Sequence, residues 1–524
     1  MKTRWLAILI VIAAVVAAAG RFHATQDDSF ISYRYARNLV ETGGLTFNGP
    51  GYERVEGYSN FTWTLALALA YAIGIGPWLA SKLLGLACLV ATILGTMRLA
   101  GEMLPARSPW RLFAGLAVAS SACTTSWSVE GLETPSIAAL IVWSLVFVLA
   151  ALREENEGPR RRKAWLAGAA LGVLGVSRPE TALFGIVALG WIAALRVVDR
   201  ERSSGVLGRM AIAFAVPVLA QLAFRLAYYG RVTANTVYAK VRGGGQLRRG
   251  GVYAEEFVRA HGTWLVVAAI VLVVVALVVE ARRRPRQLRA PLLTILFFVA
   301  YAAFIVAAGG DWMRGFRFFV HVMPLLAVVG TWALARVSEA TAGRIDRRLR
   351  IAAIAAAAAA VLFANTVLAP RHPFGAQGAV YDGAGPGYHM TLSPPPGPHL
   401  RVGEWLRENV PRDTLVALSE AGIVAFESRL PVLDYLGLND RHVADLMQRG
   451  ADDAAIADHV LRQRPGAIVM TGESSANGVF TGRMPIDRAL QGHADFAPYR
   501  LAKIEPLALP TAAGTPAFAI YLRR

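Results

Sequence analysis

The chain has 524 residues, 55% of them hydrophobic, with a mean hydropathy of +0.43, and its repeated long apolar runs exclude an ordinary soluble enzyme. Its formal net charge of +18 sits mostly in short Lys/Arg loops between those runs, the positive-inside pattern of a polytopic membrane protein, so the charge reports orientation and not a nucleic-acid partner. Cys88 and Cys123 are the only two cysteines and both lie inside apolar runs, which argues against a disulfide framework or a Cys-based zinc site.

Residues 1–20 combine Lys2 and Arg4 with an apolar core and an Ala17-Ala18-Ala19-Gly20 end. The pattern is shared with cleavable signal peptides, but an uncleaved first span fits better because the polytopic body follows at once. After a polar loop come apolar runs at 61–76, 77–100, 110–126, 135–152, 164–176, 181–198, 210–228, 263–280, 291–308, 318–335 and 351–368. A spanning helix needs about 20 apolar residues, so 61–76 is the doubtful run.

Charge decides it. With 61–76 lying along the membrane surface, six basic segments share one side: Lys2 and Arg4; Arg98, Arg107 and Arg111; Arg153 and 160–163; Arg200, Arg202 and Arg209; 282–289; and 344–350. Every polar, Gly/Pro-punctuated segment (27–60, 128–135, 177–180, 231–262 and 309–317) then shares the other. The expectation is 11 spans with the N-terminus inside and an interfacial helix at 61–76.

The expected organisation is a polytopic α-helical membrane domain at 1–369, with its first outer loop at 21–77, a Gly/Pro-rich linker at 370–398, and an extracytoplasmic α/β domain at 399–524. In that last part 402–409 and 452–463 read as helices, and 415–418 and 467–470 as strands.

Asp27-Asp28 stands at a membrane exit, where ionisable groups are costly and usually functional. One carboxylate can cap a helix that carries Tyr33 and Arg34, one can act as general base, or the pair can hold a divalent cation with Glu53 or Glu56 as further ligands. Spacing leaves these open. Glu56, Tyr58, Asn60, Phe61 and Trp63 cluster just beyond, either as a binding lip or as an aromatic belt.

Residues 128–135 and 177–180 carry helix-start signals, with capping the simplest role for Glu133. Arg178, a guanidinium on the outer side, calls for a partner such as a phosphate or Glu130. Asp311, Trp312, Arg314 and Arg317 share one outer turn, and arginines beside an aromatic at headgroup level suit a lipid-linked phosphate. Lys240 is a phosphate contact or a snorkelling lysine. The glycines at 243–245 mark a loop with neither a Walker nor a dinucleotide pattern. His321, His372, His389 and His442 lack metal-ligand spacing and read as structural or solvated.

Taken together, these segments resemble the GT-C superfamily of membrane glycosyltransferases, which use polyprenyl-phosphate sugars, and within it the mycobacterial terminal β-1,2-arabinofuranosyltransferase group. The resemblance is carried by Asp27-Asp28-Ser29-Phe30-Ile31-Ser32-Tyr33-Arg34-Tyr35, by 54–63, by Gly131-Leu132-Glu133-Thr134-Pro135, by 310–315 and, more loosely, by 434–440. It implies a catalytic carboxylate in the first outer loop, matched by Asp27 and Asp28, and a lipid-phosphate sugar donor; Arg178, Lys240, Arg314 and Arg317 are the cations that could meet the donor phosphate. It implies sugar or acceptor contacts from Tyr33, Arg34, Glu56, Tyr58, Asn60, Glu133, Asp311 and Trp312. The implied setting is a bacterial plasma membrane, with a cell-envelope glycan or glycolipid as acceptor and membrane lipids as partners. A phosphate anion leaves without a general acid, so a base and cations suffice, with a divalent cation an open question at the aspartates. Asn60-Phe61 stands where those relatives tend to have His-Pro, which leaves the acceptor and the sugar, pentose or hexose, open. The rival is a transporter or flippase of the same lipids; such proteins place polar residues near the midplane in repeated halves, and no repeat is present here.

Overall fold

The computed structural model describes residues 2–22, 24–105, 108–198, 204–240, 245–372, 397–475, 477–507 and 514–524. Arg107, Arg200, Arg202, Gly243, Gly244, His389 and most of the 370–398 segment lie outside them, as do the side chains of Lys2 and Lys240. The chain divides into two compact units, neither of them one continuous stretch. The first comprises Met1–Phe22, Lys82–Leu222 and Gly245–Gly378, the second His23–Ser81, Ala223–Gly244 and Ala379–Arg524.

The first unit is helical. Among the described residues, 7 helices of the chain are long and apolar enough to cross a membrane: Pro77–Ala100, Thr134–Arg153, Pro179–Val197, Gly205–Tyr229, Thr263–Arg283, Pro285–Ala308 and Arg347–Arg371. Two expected continuous spans are broken. The 110–126 run forms helices Trp110–Ala119 and Ala122–Trp127, because Ser121 turns extended and its Oγ accepts the Thr124 N–H at 3.2 Å, capping a new start. The 318–335 run breaks before helix Met323–Ala340, where Pro324 in the first turn has no N–H to continue a preceding helix. Helix Glu157–Ser177 packs closely on the 205–229 helix through small residues: a Cβ on Gly168 would lie 2.5 Å from the Met210 carbonyl oxygen, and one on Gly172 would lie 2.4 Å from Pro217 Cγ.

The second unit is built on a six-stranded sheet: β1 Val416–Leu418, β2 Val432–Asp434, β3 Ala467–Ser474, β4 Phe480–Gly482, β5 Tyr499–Pro506 and β6 Thr515–Arg523. The order is β2-β1-β3-β6-β5, with β4 added to β3; β2, β1 and β3 run parallel, and β6 is antiparallel to both β3 and β5. Side chains alternate faces along a strand, so the sheet has two cores. Val416, Leu418, Val469, Phe518 and Ile520 pack with Ile31, Tyr35, Phe47 and Tyr58 of the first outer loop. Ala417, Ile468, Met470 and Tyr521 pack with Val443, Ile456 and Val460 of helices Arg441–Gln448 and Asp453–Arg462. The first outer loop is therefore one layer of this unit, not an appendage of the helical one.

That loop contributes helix Ser29–Thr42, ended by Gly43 at φ 73°, and helix Phe61–Ala72. Residues 73–76, expected to continue the second helix, turn away at Gly74 with φ 87°. Twelve residues extend about 18 Å, well short of a hydrocarbon core of about 30 Å. With Cys88 and Cys123 replaced by alanine, Tyr52→Cys and Gly76→Cys are expected to react with an impermeant thiol reagent from the same side of the membrane. Reaction from opposite sides would mean that helix Phe61–Ala72 crosses it.

Candidate active site

In the second unit the two aspartates have different surroundings. Asp28 occupies the cap position of helix Ser29–Thr42, but its backbone is helical and its carboxylate makes no capping bond, so capping does not account for it. It is half-buried. Asp27 is buried: its Oδ2 accepts the Gly422 N–H at 3.1 Å and its Oδ1 accepts the Ile423 N–H at 2.7 Å. It thereby caps, from 395 residues away, the start of helix Ile423–Ser428. Burial pushes the Asp27 carboxyl up to about 7, opposed by His399 and the Ile423 N–H and reinforced by Glu420 and Asp28. His399 in turn pairs through Nε2 with Glu420 Oε2 at 2.5 Å and sets its ring edge-on to Phe518.

The residues expected to contact sugar are used inside this unit. Tyr33 is fully buried with its hydroxyl 2.6 Å from Ser81 Oγ. Arg34 donates to the carbonyls of Phe47 and Leu430, both at 2.7 Å, to Asn48 Oδ1 at 3.1 Å and to the Ala425 carbonyl. Glu56 accepts from Arg225 Nε at 2.9 Å, and its Oε2 has no partner among the described residues. Tyr58 is buried edge-on to Tyr35, with its hydroxyl 3.3 Å from that of Tyr229. Asn60 Oδ1 accepts from Ser32 Oγ and Thr64 Oγ1, each at 3.0 Å. The lip read from 54–63 is thus an internal polar framework: aromatic and amide composition does not tell a core face from a binding face. Residues 434–440 join it, since Asp434 accepts from Leu436 and Asn439. A Cβ on Gly57 would meet Asn439 Oδ1 at 1.8 Å.

In the first unit Arg178 is buried and paired with Glu133 and Glu180, not Glu130, and Glu133 makes no capping bond. Arg317 donates to Asp311 Oδ2 at 2.6 Å. Two guanidiniums expected at a phosphate are therefore met by three carboxylates. Trp312 is 51% exposed and Arg314 half-buried; Lys240 ends helix Asn235–Lys240 of the second unit. His321, read as structural, is fully buried with Nδ1 2.6 Å from the Tyr301 hydroxyl. Sequence reasoning missed Lys82, fully buried in helix Pro77–Ala100 and donating to the Val129 carbonyl, although a lysine inside an apolar run was a visible signal. It also missed His399 and Glu420, which carry no local signal. Among the described residues no group of three or more His, Cys, Asp or Glu side chains is placed to hold a metal ion.

The fold is that of the GT-C membrane glycosyltransferases. ArnT from Cupriavidus metallidurans, solved bound to undecaprenyl phosphate, superposes with a TM-score of 0.60 at 14% identity, covering 99% of this chain and 98% of that one. The archaeal oligosaccharyltransferase AglB from Archaeoglobus fulgidus, in complex with an inhibitory peptide and a dolichol-phosphate, superposes with a TM-score of 0.54 at 13% identity, covering 96% and 80%. In sequence the chain is similar to a terminal β-(1→2)-arabinofuranosyltransferase of Mycobacterium tuberculosis, 28% identical over 58% of this chain and 52% of the relative. It is also similar to the enzyme of that name from Corynebacterium glutamicum, 26% identical over 58% and 46%. The chain spans about half the length of these curated relatives. A family model described as a domain of unknown function, DUF8728, matches residues 390–521.

Arg225→Met is expected to destabilise the protein by about 3–5 kcal/mol at pH 8, since it strands a buried carboxylate. The loss should shrink below pH 6, where Glu56, pushed up to about 7 by burial, takes a proton, and Glu56→Gln should recover most of it in thermal unfolding. Burial also raises Asp27 to about 7, and Asp434 and Asp487 to about 6. The folded state then holds more protons than the unfolded one between the ordinary carboxylate range and pH 7, so stability falls as pH rises through that window. Asp27→Asn is expected to flatten part of that slope between about pH 4 and 7.

Proposed function

We propose that the chain is a glycosyltransferase of the extracytoplasmic face of a bacterial plasma membrane. It moves a sugar, a pentose such as arabinofuranose, from a polyprenyl-phosphate donor to a cell-envelope glycan or glycolipid. Asp28 is the base: it takes the proton of the acceptor hydroxyl as that oxygen bonds to the anomeric carbon and the donor phosphate departs with the bonding electrons. The observation that carries this is the asymmetry of the aspartates. Asp28 is half-buried at a helix start, while Asp27 is buried with both oxygens accepting backbone N–H groups.

The motif resemblance, the GT-C fold and the names of the sequence relatives support the reaction class, and the lipid phosphate named with ArnT supports the donor class. Arg178, Lys240, Arg314 and Arg317 are the cations named from the sequence. They are assigned the departing phosphate.

Purified protein incubated with polyprenyl-phosphate pentose and hexose donors and a panel of envelope glycans is expected to transfer the pentose. Asp28→Asn should lower the rate at least 1,000-fold, on the order of the loss when a general base and its positioning are removed, with the melting curve unchanged. Wild-type rates in Asp28→Asn would refute the assignment of the base, and no transfer from any lipid-phosphate donor would refute the function.

A further inference from the structure

Resting on that functional reading, we propose that the domain matched at residues 390–521 is a positioning half of the catalytic site. Its turn at 419–423 and its His399–Glu420 pair hold Asp27, and so fix the helix start that presents Asp28. The domain is then a working part of the site and not only a fold beside it.

The turn approaches Asp27 as closely as a backbone can. Gly422 and Ile423 give their N–H groups to the two carboxylate oxygens. A Cβ on Gly422 would lie 2.2 Å from both the carbonyl oxygen and Oδ2 of Asp27, so only glycine fits without moving the aspartate. The Asp27 carbonyl in turn accepts the Phe30 N–H at 2.9 Å, and the Asp28 carbonyl accepts that of Ile31. The first turn of helix Ser29–Thr42 is thus pinned at the residue next to the base. Arg37 ties the following turn to the same domain through the Phe426 carbonyl at 2.8 Å, with its guanidinium 4.3 Å from the Phe426 ring centroid.

Behind the turn His399 is buried and Glu420 half-buried. His399 and Glu420, bonded at 2.5 Å, are respectively the charge that stabilises ionised Asp27 and one that opposes it; Asp28 and the Ile423 N–H complete the groups acting there. None of these residues belongs to the first outer loop except the aspartates themselves. An acceptor-holding module would have no need to touch them.

The test separates kcat from acceptor KM. Gly422→Ala is expected to lower kcat at least tenfold, and Glu420→Gln and His399→Gln several-fold, with acceptor KM within twofold of wild type. Gly492→Ala, where an added Cβ meets nothing within 4 Å, is the control for the domain and should match wild type. The pH dependence of unfolding that Asp27 contributes should move to lower pH in Glu420→Gln and to higher pH in His399→Gln, opposite shifts that a general loss of folding would not produce. Unchanged kcat with raised acceptor KM in the three variants would overturn the proposal and leave an acceptor-holding domain. If wild-type protein transfers no sugar, the functional reading fails, and the clamp is judged by limited proteolysis. Cleavage within 24–60 in Gly422→Ala but not in wild type supports it; equal protection in both overturns it.

Discussion

The second unit depends on the satisfaction of a buried guanidinium that has no carboxylate partner among the described residues. Arg34 is almost entirely buried, and burial draws its pKa down to about 9. It stays charged inside a protein only because its donors meet neutral oxygens from both sides, Phe47 and Asn48 of the first outer loop and Ala425 and Leu430 of the C-terminal domain, with the Phe47 ring 4.5 Å beneath it. A lysine has three donors on one point and could not reach these acceptors in a fork. Arg34 sits on the helix that begins at Asp27 and Asp28. The placement of the carboxylates is thus inherited from a hydrogen-bond network that makes no chemical contribution itself.

Two neighbouring acids, Asp27 and Asp28, have different surroundings. Asp27 is spent on backbone amides, and burial pushes its carboxyl up to about 7. The first unit shows the opposite economy. There Arg178 and Arg317 are each answered by carboxylates, a pattern that fixes loops at the ends of membrane helices rather than leaving positive charge unspent.

Where the membrane dictates the pattern, the sequence was legible. Lipid demands long apolar helices, and 7 of the runs expected to span form helices long and apolar enough to cross a membrane among the described residues. The breaks at Ser121 and Pro324 were marked by a cap residue and a proline, signals that hydropathy alone passes over. Strands β1 and β3 were visible as short continuous apolar runs, whereas β5, with Arg500, Lys503 and Glu505 along it, was hidden by polar residues. The acidic pair was legible because carboxylates at a membrane exit are costly. The roles of Tyr33, Tyr58 and Asn60 were not, since burial depends on a layer contributed by residues beyond 400. His399 and Glu420 were invisible for the same reason: their meaning is their distance from Asp27 in space, and the chain separates them by more of its length than any local pattern spans.

That separation also sets the order of events during synthesis. The Arg34 and Ala425 groups that bond in the folded protein are 391 residues apart, so at roughly 5–20 residues per second the helix beginning at Ser29 waits on the order of 20–80 s for its partner surface to be made. Through that interval Asp27, Arg34 and Arg37 cannot be buried together without stranded charge, and they have to stay in water while the membrane helices insert around them. The loop at 24–60 is made long before the surface it packs on, so a chain truncated before residue 400 would lack the layer that buries it.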